Sequence, residues 1–263
     1  MTDLIYDIGM DDGDDSDFYL RNGFRVVAVE ADPELCEVAA KRFRLAIADG
    51  RLTIVNRAIA PKSGPVTFHR STTPGWGTVV EDWHRDIAAR GGAADALVVD
   101  GITLADLVAA HGAPFYMKLD IEGMDRIAVE GLAATAARPR YLSMETSFAK
   151  SMNLAAMQLD FETLTRLDYD RFKIVDQQQL AHRADSSAAG PSGPFGEETP
   201  GEWLSANAAL ESFRALCRTM RLPLLLYRNR RLFLYYSSVM RRLHRRSPNL
   251  SWYDIHAKHA SVD

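Results

Sequence analysis

The sequence predicts an α/β protein with a mostly parallel central sheet covered by helices on both faces. Three observations carry that prediction. Short apolar runs alternate with helical patterns over most of the chain, the first run ends in a glycine-containing turn, and the second ends on one acid. With 263 residues, 47% hydrophobic and 25% charged, the chain can bury a substantial core in one domain.

Leu4-Ile5-Tyr6 begins the first strand, which runs into Asp7-Ile8-Gly9-Met10-Asp11-Asp12-Gly13, and a helix is expected from Ser16 to Asn22. Arg25 to Val29 forms the second strand and closes on Glu30. Pro33 then opens a helix to about Phe43, because proline fits the first helical position. Leu52 to Asn56 supplies a third strand. Gly64 to Val99 is less regular, with strands at Val66-Thr67-Phe68 and Ala96 to Val99 around a turn-rich loop at Pro74-Gly75-Trp76-Gly77. Alternation resumes with a helix from Leu104 to His111, a strand from Phe115 to Leu119, a helix near Asp125 to Glu130 and a strand from Tyr141 to Glu145. A helix from Asn153 to Leu167 and a strand from Phe172 to Val175 extend it.

Composition changes at Ala181 to Gly201, where Ser, Gly, Pro and charge dominate; so long a stretch inside a compact domain reads as a lid or an insertion. Beyond Trp203 the pattern is mainly helical to about Arg246. The expected organisation is a core at 1–180, a lid or insertion loop at 181–202, and a basic, mainly helical C-terminal extension at 203–263 packed on the core.

Two cysteines, Cys36 and Cys217, exclude a disulfide framework and a four-thiolate metal site. The start shows no basic region followed by an apolar run, and no stretch of 18 apolar residues occurs, so a soluble cytoplasmic protein is expected. The net charge of -4 hides an asymmetry: Arg214 to Arg246 holds ten arginines and no acid, which leaves -14 on the remainder. That basic stretch reads as a packing or homo-oligomer contact, or as a surface for an anionic acceptor; peripheral membrane contact is not favoured. No zinc finger or RNA-recognition signature points to nucleic acid.

Ligands of open parallel sheets sit beyond the carboxyl ends of the strands. Gly9 and Gly13 permit close backbone approach there. Glu30 lies 21 residues after Gly9, where a carboxylate can accept hydrogen bonds from both hydroxyls of an adenosine ribose. The bare G-x-G-x-x-G fingerprint and the phosphate-loop motif are both absent. A pyrophosphate beside Asp11, Asp12, Asp14 and Asp15 would meet like charges, whereas the sulfonium and ammonium of S-adenosylmethionine would be attracted. The same acids also suit the first turn of a helix.

At these residues the chain resembles the FkbM family of S-adenosylmethionine-dependent methyltransferases. The resembling segments are DIGMDDGDDS at 7–16, VEADP at 29–33, NRAI at 56–59, KLDIEG at 118–123 followed by Gly131-Leu132, and RPRYLSME at 138–145. The resemblance covers about 1–176 and implies a class I Rossmann-like methyltransferase sandwich, with S-adenosyl-L-methionine as methyl donor and S-adenosyl-L-homocysteine as product. It also implies methylation of oxygen, often on sugars or secondary metabolites, and hence a small-molecule or glycan acceptor. By that resemblance Asp7, Gly9 and Gly13 shape the pocket under the methionine part, and Glu30, with neighbouring Ala31, holds the ribose. The family loop usually carries Ala-Asn before its second glycine, where this chain has Asp11-Asp12. Asp95 either faces adenine or belongs to a sheet-edge turn.

Strand alternation puts Tyr116, Lys118 and Asp120 on one face, with Glu122 in the following loop, and Ser143 and Glu145 together on the next strand. A buried Lys118 needs a carboxylate, which Glu145 or Glu122 is expected to supply, so Lys118 reads as an organiser rather than a nucleophile. Asp120 is the first choice of general base, with Glu122, Glu145 and His182 as alternatives. Those four also carry metal-ligand atoms, but their spacing matches no metal motif and a divalent metal is not favoured. Trp76 reads as an aromatic wall over a sugar or as a cover for core atoms, and Phe195 as a lid anchor for substrate or a local plug. The leading function is sugar O-methylation; the alternatives are an inactive methyltransferase-like interaction protein and a nucleotide-sugar oxidoreductase.

Overall fold

The computed structural model describes residues 3–72, 76–82, 84–85, 93–146, 154–177, 180, 193–227, 235, 238–239 and 253–262. In chain order the strands are β1 (Leu4–Ile8), β2 (Arg25–Glu30), β3 (Leu52–Asn56), β4 (Ala58–Ile59), β5 (Gly64–Ser71), β6 (Ala93–Ile102), β7 (Tyr116–Leu119), β8 (Tyr141–Glu145), β9 (Tyr169–Asp176) and β10 (Tyr253–His259). The helices are α1 (Asp14–Arg21), α2 (Pro33–Arg42), α3 (Arg44–Ala48), α4 (Leu104–His111), α5 (Asp125–Gly131), α6 (Leu154–Thr165) and α7 (Ala206–Tyr227).

The main sheet has seven strands in the order β3-β2-β1-β7-β8-β10-β9, and only β10 runs against its neighbours. Strand order reverses between β1 and β7, so a crevice opens beyond their carboxyl ends. Strands β1, β2, β3, β7 and β8 feed two cores by alternation, whereas the apolar residues of β9 and β10 that cluster join the first. Tyr6, Ile8, Val27, Met117, Leu142 and Ile255 enter one core with Leu107, Val129, Phe161 and Phe213 from the helices. Ile5, Val26, Ala28, Tyr116 and Tyr141 enter the other with Tyr19, Ala39 and Phe43. This is the mostly parallel, helix-covered sheet that the alternation predicts and the Rossmann-like sandwich that the family resemblance implies, with α7 as the helical part of its C-terminal segment.

Local chemistry sets the helix starts. Asp32 caps α2 by accepting from the Glu34 amide at 2.9 Å, with Pro33 in the first turn, and Thr103 caps α4 by accepting from the Asp106 amide at 3.0 Å. The first helix begins at Asp14, two residues before the expected Ser16, because Gly13 at φ 84° turns the chain and Asp14, Asp15 and Asp17 fill the first turn. A second, three-stranded sheet, in the order β4-β6-β5, stands beside the crevice.

The end of the chain does more than drape over the core. The last strand, β10, enters the main sheet between β8 and β9, with Asp254 in register with Glu145 and Val175. Tyr253, Ile255 and Ala257 alternate with Asp254, His256 and Lys258 along it, and Asp254 and His256 are buried as well, so polar side chains of this strand are covered too. Residues 181–192, including His182, and most of the arginine-rich stretch after α7 lie outside the described residues. No described helix is long and apolar enough to cross a membrane.

One row of in-register residues crosses five strands: Asp7, Lys118, Ser143, His256 and Lys173, all buried. Lys173 donates to the carbonyls of Gly196 and Thr199 at 3.2 and 2.8 Å. Burial, reinforced by the Lys173 charge, pushes the His256 imidazole down to about 3. A depressed folded-state pKa favours the neutral ring, so its contribution to stability is complete above the unfolded value near 6.5 and is lost as pH falls toward 3. Relative to His256→Asn, the wild type is expected to lose about 1.4 kcal/mol of stability per pH unit between roughly pH 6 and 4. Urea titrations of both proteins across that range check this, and parallel stability curves would refute it.

Candidate active site

The crevice is a cleft of about 570 Å³. Gly9, Met10, Asp11 and Asp12 form its floor, Glu30 to Asp32 one side and Lys118, Asp120 and Ile121 the other. From the smaller sheet, Phe68, Arg70 and Ser71 form part of the wall.

The glycine turn is shaped by its neighbours. Gly9 has φ 86°, and a Cβ there would lie 1.9 Å from the Asp120 carbonyl oxygen, so only glycine allows the two strand ends to meet. The Gly9 and Met10 amides both donate to the Val29 carbonyl, at 2.9 and 3.1 Å. Gly13 is packed against Phe43, whose ring atom would stand 2.6 Å from a Cβ; it bends the chain into α1 and sits behind the cleft wall.

Glu30, at the end of β2, is 8% exposed. Its Oε2 accepts from the Asp11 amide at 3.0 Å and its Oε1 from the Asp32 amide at 2.8 Å, which leaves lone pairs on both oxygens for a ligand. Burial pushes this carboxyl up to about 7 against the pull of those two amides. The adjoining turn is tied further by Arg70, whose guanidinium pairs with Asp32 at 2.7 Å and Glu34 at 2.9 Å.

Lys118, Asp15 and Asp120, which line the cleft, form an ion cluster with Asp7. Lys118 Nζ is 2.7 Å from Asp15, 3.5 Å from Asp120 and 3.9 Å from Asp7. Burial works against the ammonium, but the three carboxylates outweigh it and hold Lys118 above its ordinary range. Asp7 is fully buried, accepts from Ser16 Oγ at 2.6 Å, and is raised by burial to about 6. It therefore supports the floor from below and does not line the cleft. The expected partners of Lys118, Glu145 and Glu122, are replaced by Asp15, Asp120 and Asp7. The controlling feature is the approach of α1 to β7, which brings Asp15 over the strand.

Asp120 projects from the end of β7 with 47% of its side chain exposed. The following loop turns through Glu122 at φ 43°. Asp125 accepts from the Ile121 and Gly123 amides, each at 3.3 Å, and Thr78 Oγ1 donates to the Glu122 carbonyl at 2.8 Å. So fixed, Asp120, Glu122 and Glu145 bring carboxylate oxygens within 4.8 Å of one another, a donor set with hard oxygen atoms suited to a divalent ion. Asp254 adds a buried carboxyl raised well above its usual range by burial and by the Asp120 and Glu145 charges.

Three sequence expectations find other places. Phe195 is 8% exposed and stacks on Tyr116 with ring centroids 4.0 Å apart, among Tyr19, Phe24, Phe115 and Tyr141. It is a core plug and not a substrate wall, because an apolar ring gains more from that aromatic cage than from an open cleft. Asp95 is exposed within β6, the middle strand of the smaller sheet, so it belongs neither to a sheet-edge turn nor to the lining of the cleft. Trp76 is half-buried and is not among the described residues lining the cleft, whereas Gly77, Thr78 and Val79 are.

A family model for the methyltransferase FkbM domain matches residues 7–170, more than half of the chain. The chain belongs to the FkbM family of S-adenosylmethionine-dependent methyltransferases. No curated protein matches the sequence. Among solved structures, the chain is similar to a methyltransferase FkbM from Methylobacillus flagellatus KT, with 17% identity and a TM-score of 0.42 over 66% of this chain and 39% of that one. It is also similar to residues 942-1257 of the StiE O-MT, with 11% identity and a TM-score of 0.43 over 99% of this chain and 69% of that one. A third is a SAM-dependent methyltransferase from Thiobacillus denitrificans in complex with S-adenosyl-L-homocysteine, with 9% identity and a TM-score of 0.40 over 98% of this chain and 85% of that one. This FkbM chain thus spans about two fifths of the first of these and about two thirds of the second.

Proposed function

We propose that this FkbM-family chain transfers a methyl group from S-adenosyl-L-methionine to a hydroxyl of a sugar or sugar-containing metabolite. The observation that carries the reading is Glu30: a buried carboxylate at the end of β2, held by two backbone amides, facing the cleft that Gly9 and Asp120 also line. Its free lone pairs suit the vicinal hydroxyls of a ribose. Among the described residues the cleft wall holds eight carboxylates against three cationic side chains, a balance that favours a sulfonium and disfavours a pyrophosphate. That balance also weighs against the nucleotide-sugar oxidoreductase.

When bound, the cofactor supplies an electrophilic methyl carbon and leaves as a neutral thioether. The chain's task is to hold that carbon in line with the acceptor oxygen, exclude water and remove one proton. Glu30 and the Gly9–Gly13 turn hold the nucleoside and the methionine part. Asp120, exposed at the cleft, takes the acceptor's hydroxyl proton as the carbon–oxygen bond forms. Lys118 anchors the Asp120 side chain from beneath and, spoken for by Asp15, does not attack. Glu122 and Glu145 flank the base. Proton removal by Asp120 makes a metal unnecessary in this reading, although the same three carboxylates fit one.

Glu30 must be ionised to accept both ribose hydroxyls, and its carboxyl titrates near 7. Affinity for S-adenosylhomocysteine is therefore expected to rise as pH rises through 7 and to weaken by up to about tenfold per unit below it. Glu30→Ala is expected to weaken binding at every pH and to flatten the profile. Isothermal titration at pH 5.5 to 8.5 tests both. Tight, selective binding of NAD instead would overturn the methyltransferase reading, and cofactor binding with no transfer to any acceptor would favour the inactive interaction protein.

A further inference from the structure

Asn56 closes β3, directly in register with Glu30 at the last pair of the β2–β3 ladder. Beyond that pair the ladder has no further rungs, and the carbonyls of Glu30 and Ala31 need other donors. A single side-chain amide provides them: Asn56 Nδ2 donates to the Glu30 carbonyl at 3.0 Å and to the Ala31 carbonyl at 3.2 Å. Two donors on one short, stiff side chain can grip consecutive carbonyls, which a hydroxyl with one proton cannot do. The Cys36 thiol adds a weak contact to the Glu30 carbonyl at 3.5 Å.

The consequence reaches the cleft, although Asn56 does not line it. The peptide units it holds set where the Glu30 side chain leaves the backbone and where the Asp32 amide meets Glu30 Oε1. They also place Ala31, which is part of the cleft wall. Asn56 itself is exposed, so its replacement leaves no core cavity.

We propose that Asn56 is a positioning residue that aligns the Glu30 carboxylate for the cofactor's ribose by clamping the Glu30–Ala31 turn from the neighbouring strand. The inference rests on the assignment of Glu30 to the ribose. The turn has a second anchor on its far side, Arg70 on Asp32, so the clamp tunes orientation while the chain trace persists.

The test is a double-mutant cycle read by isothermal titration of S-adenosylhomocysteine into wild type, Asn56→Ala, Glu30→Gln and the double variant. Asn56→Ser, which keeps one donor, serves as the milder variant, and thermal melts report folding. Asn56→Ala is expected to weaken binding roughly tenfold, as for two lost hydrogen bonds at a site that depends on their geometry. The serine variant should fall between. In the Glu30→Gln background the same alanine substitution should change binding by less than about twofold, because the group it aligns is already disabled. A merely structural role would give the same loss in both backgrounds, and that result would overturn the proposal. So would wild-type affinity in Asn56→Ala. If Asn56→Ala does not fold, the cycle built on Asn56→Ser decides by the same criterion. Failure of the wild type to take up S-adenosylhomocysteine would overturn the cofactor reading as well, which separates the two failures.

Discussion

Lys118→Met should destabilise the protein by roughly 3–5 kcal/mol, the range found when one partner of a buried ion cluster is removed. The cation is 5% exposed and stands between Asp7 and Asp15, which are themselves buried. Methionine fills the volume but leaves both carboxylates facing each other without a counter-charge. They can escape only by protonation, and burial already places Asp7 near 6. The defect should therefore be largest near pH 8 and shrink toward pH 5, as the extra carboxylate takes up a proton. For a chain of this size the loss corresponds to a melting-temperature drop on the order of 10 °C. Melting curves at pH 5, 6.5 and 8 measure it. A drop of only a degree or two at pH 8 would mean that the cluster does not need its lysine.

Asp120→Asn should reduce methyl transfer by roughly 10²–10⁴-fold, the usual contribution of a positioned general base. Binding of S-adenosylhomocysteine should change little, because the nucleoside is held by the other side of the cleft. Asparagine keeps the shape and one acceptor oxygen but cannot take the proton at neutral pH. Single-turnover transfer to a sugar acceptor identified by screening separates the steps. Glu122→Gln and Glu145→Gln are the necessary comparisons, since their carboxylates lie within 4.8 Å of Asp120. Normal transfer by Asp120→Asn, with loss in either comparison, would move the base to that residue. His182→Ala belongs in the same series.

The two expected effects depend on different kinds of information. Asp120 was legible in the sequence because it ends an apolar strand inside a recognisable segment, KLDIEG, and strand ends in a parallel sheet carry the chemistry. The partner of Lys118 was not. Asp15 sits in a run of acids whose every member suits a helix start, and nothing in the run distinguishes the one facing β7. Helix α1 begins at Asp14, and that start directs Asp15 inward while Asp14 pairs outside with Arg42 at 2.8 Å. Register of the helix, set by the left-handed Gly13, made the choice.

Phe195 illustrates the same limit. Flanked by glycine and proline, it looks equally suited to a moving lid and to a plug, and only the aromatic cage of Tyr19, Tyr116 and Tyr141 decides between them. Asp95 precedes the apolar run Ala96 to Val99 and reads as a turn or a pocket residue, but pairing with β5 extends β6 back to Ala93 and takes Asp95 into the strand. Strand β10 alternates Tyr253, Ile255 and Ala257 with Asp254, His256 and Lys258, a pattern that suits a strand with one face in solvent; its place between β8 and β9, with Asp254 and His256 buried, comes from pairing with strands far away in sequence.

By itself the sequence determined the alternating architecture, the glycine turn, the acid after the second strand and the acid after the fourth strand of the parallel set. These follow from local patterns, with apolar periodicity marking elements and a break in it marking their ends. Tertiary structure decided which acid meets Lys118, where Phe195 goes, how the chain's last strand enters the sheet and how Asn56 grips the turn beside Glu30. Each depends on distances between residues far apart in sequence, and those distances are set by packing and strand register, which no local pattern encodes.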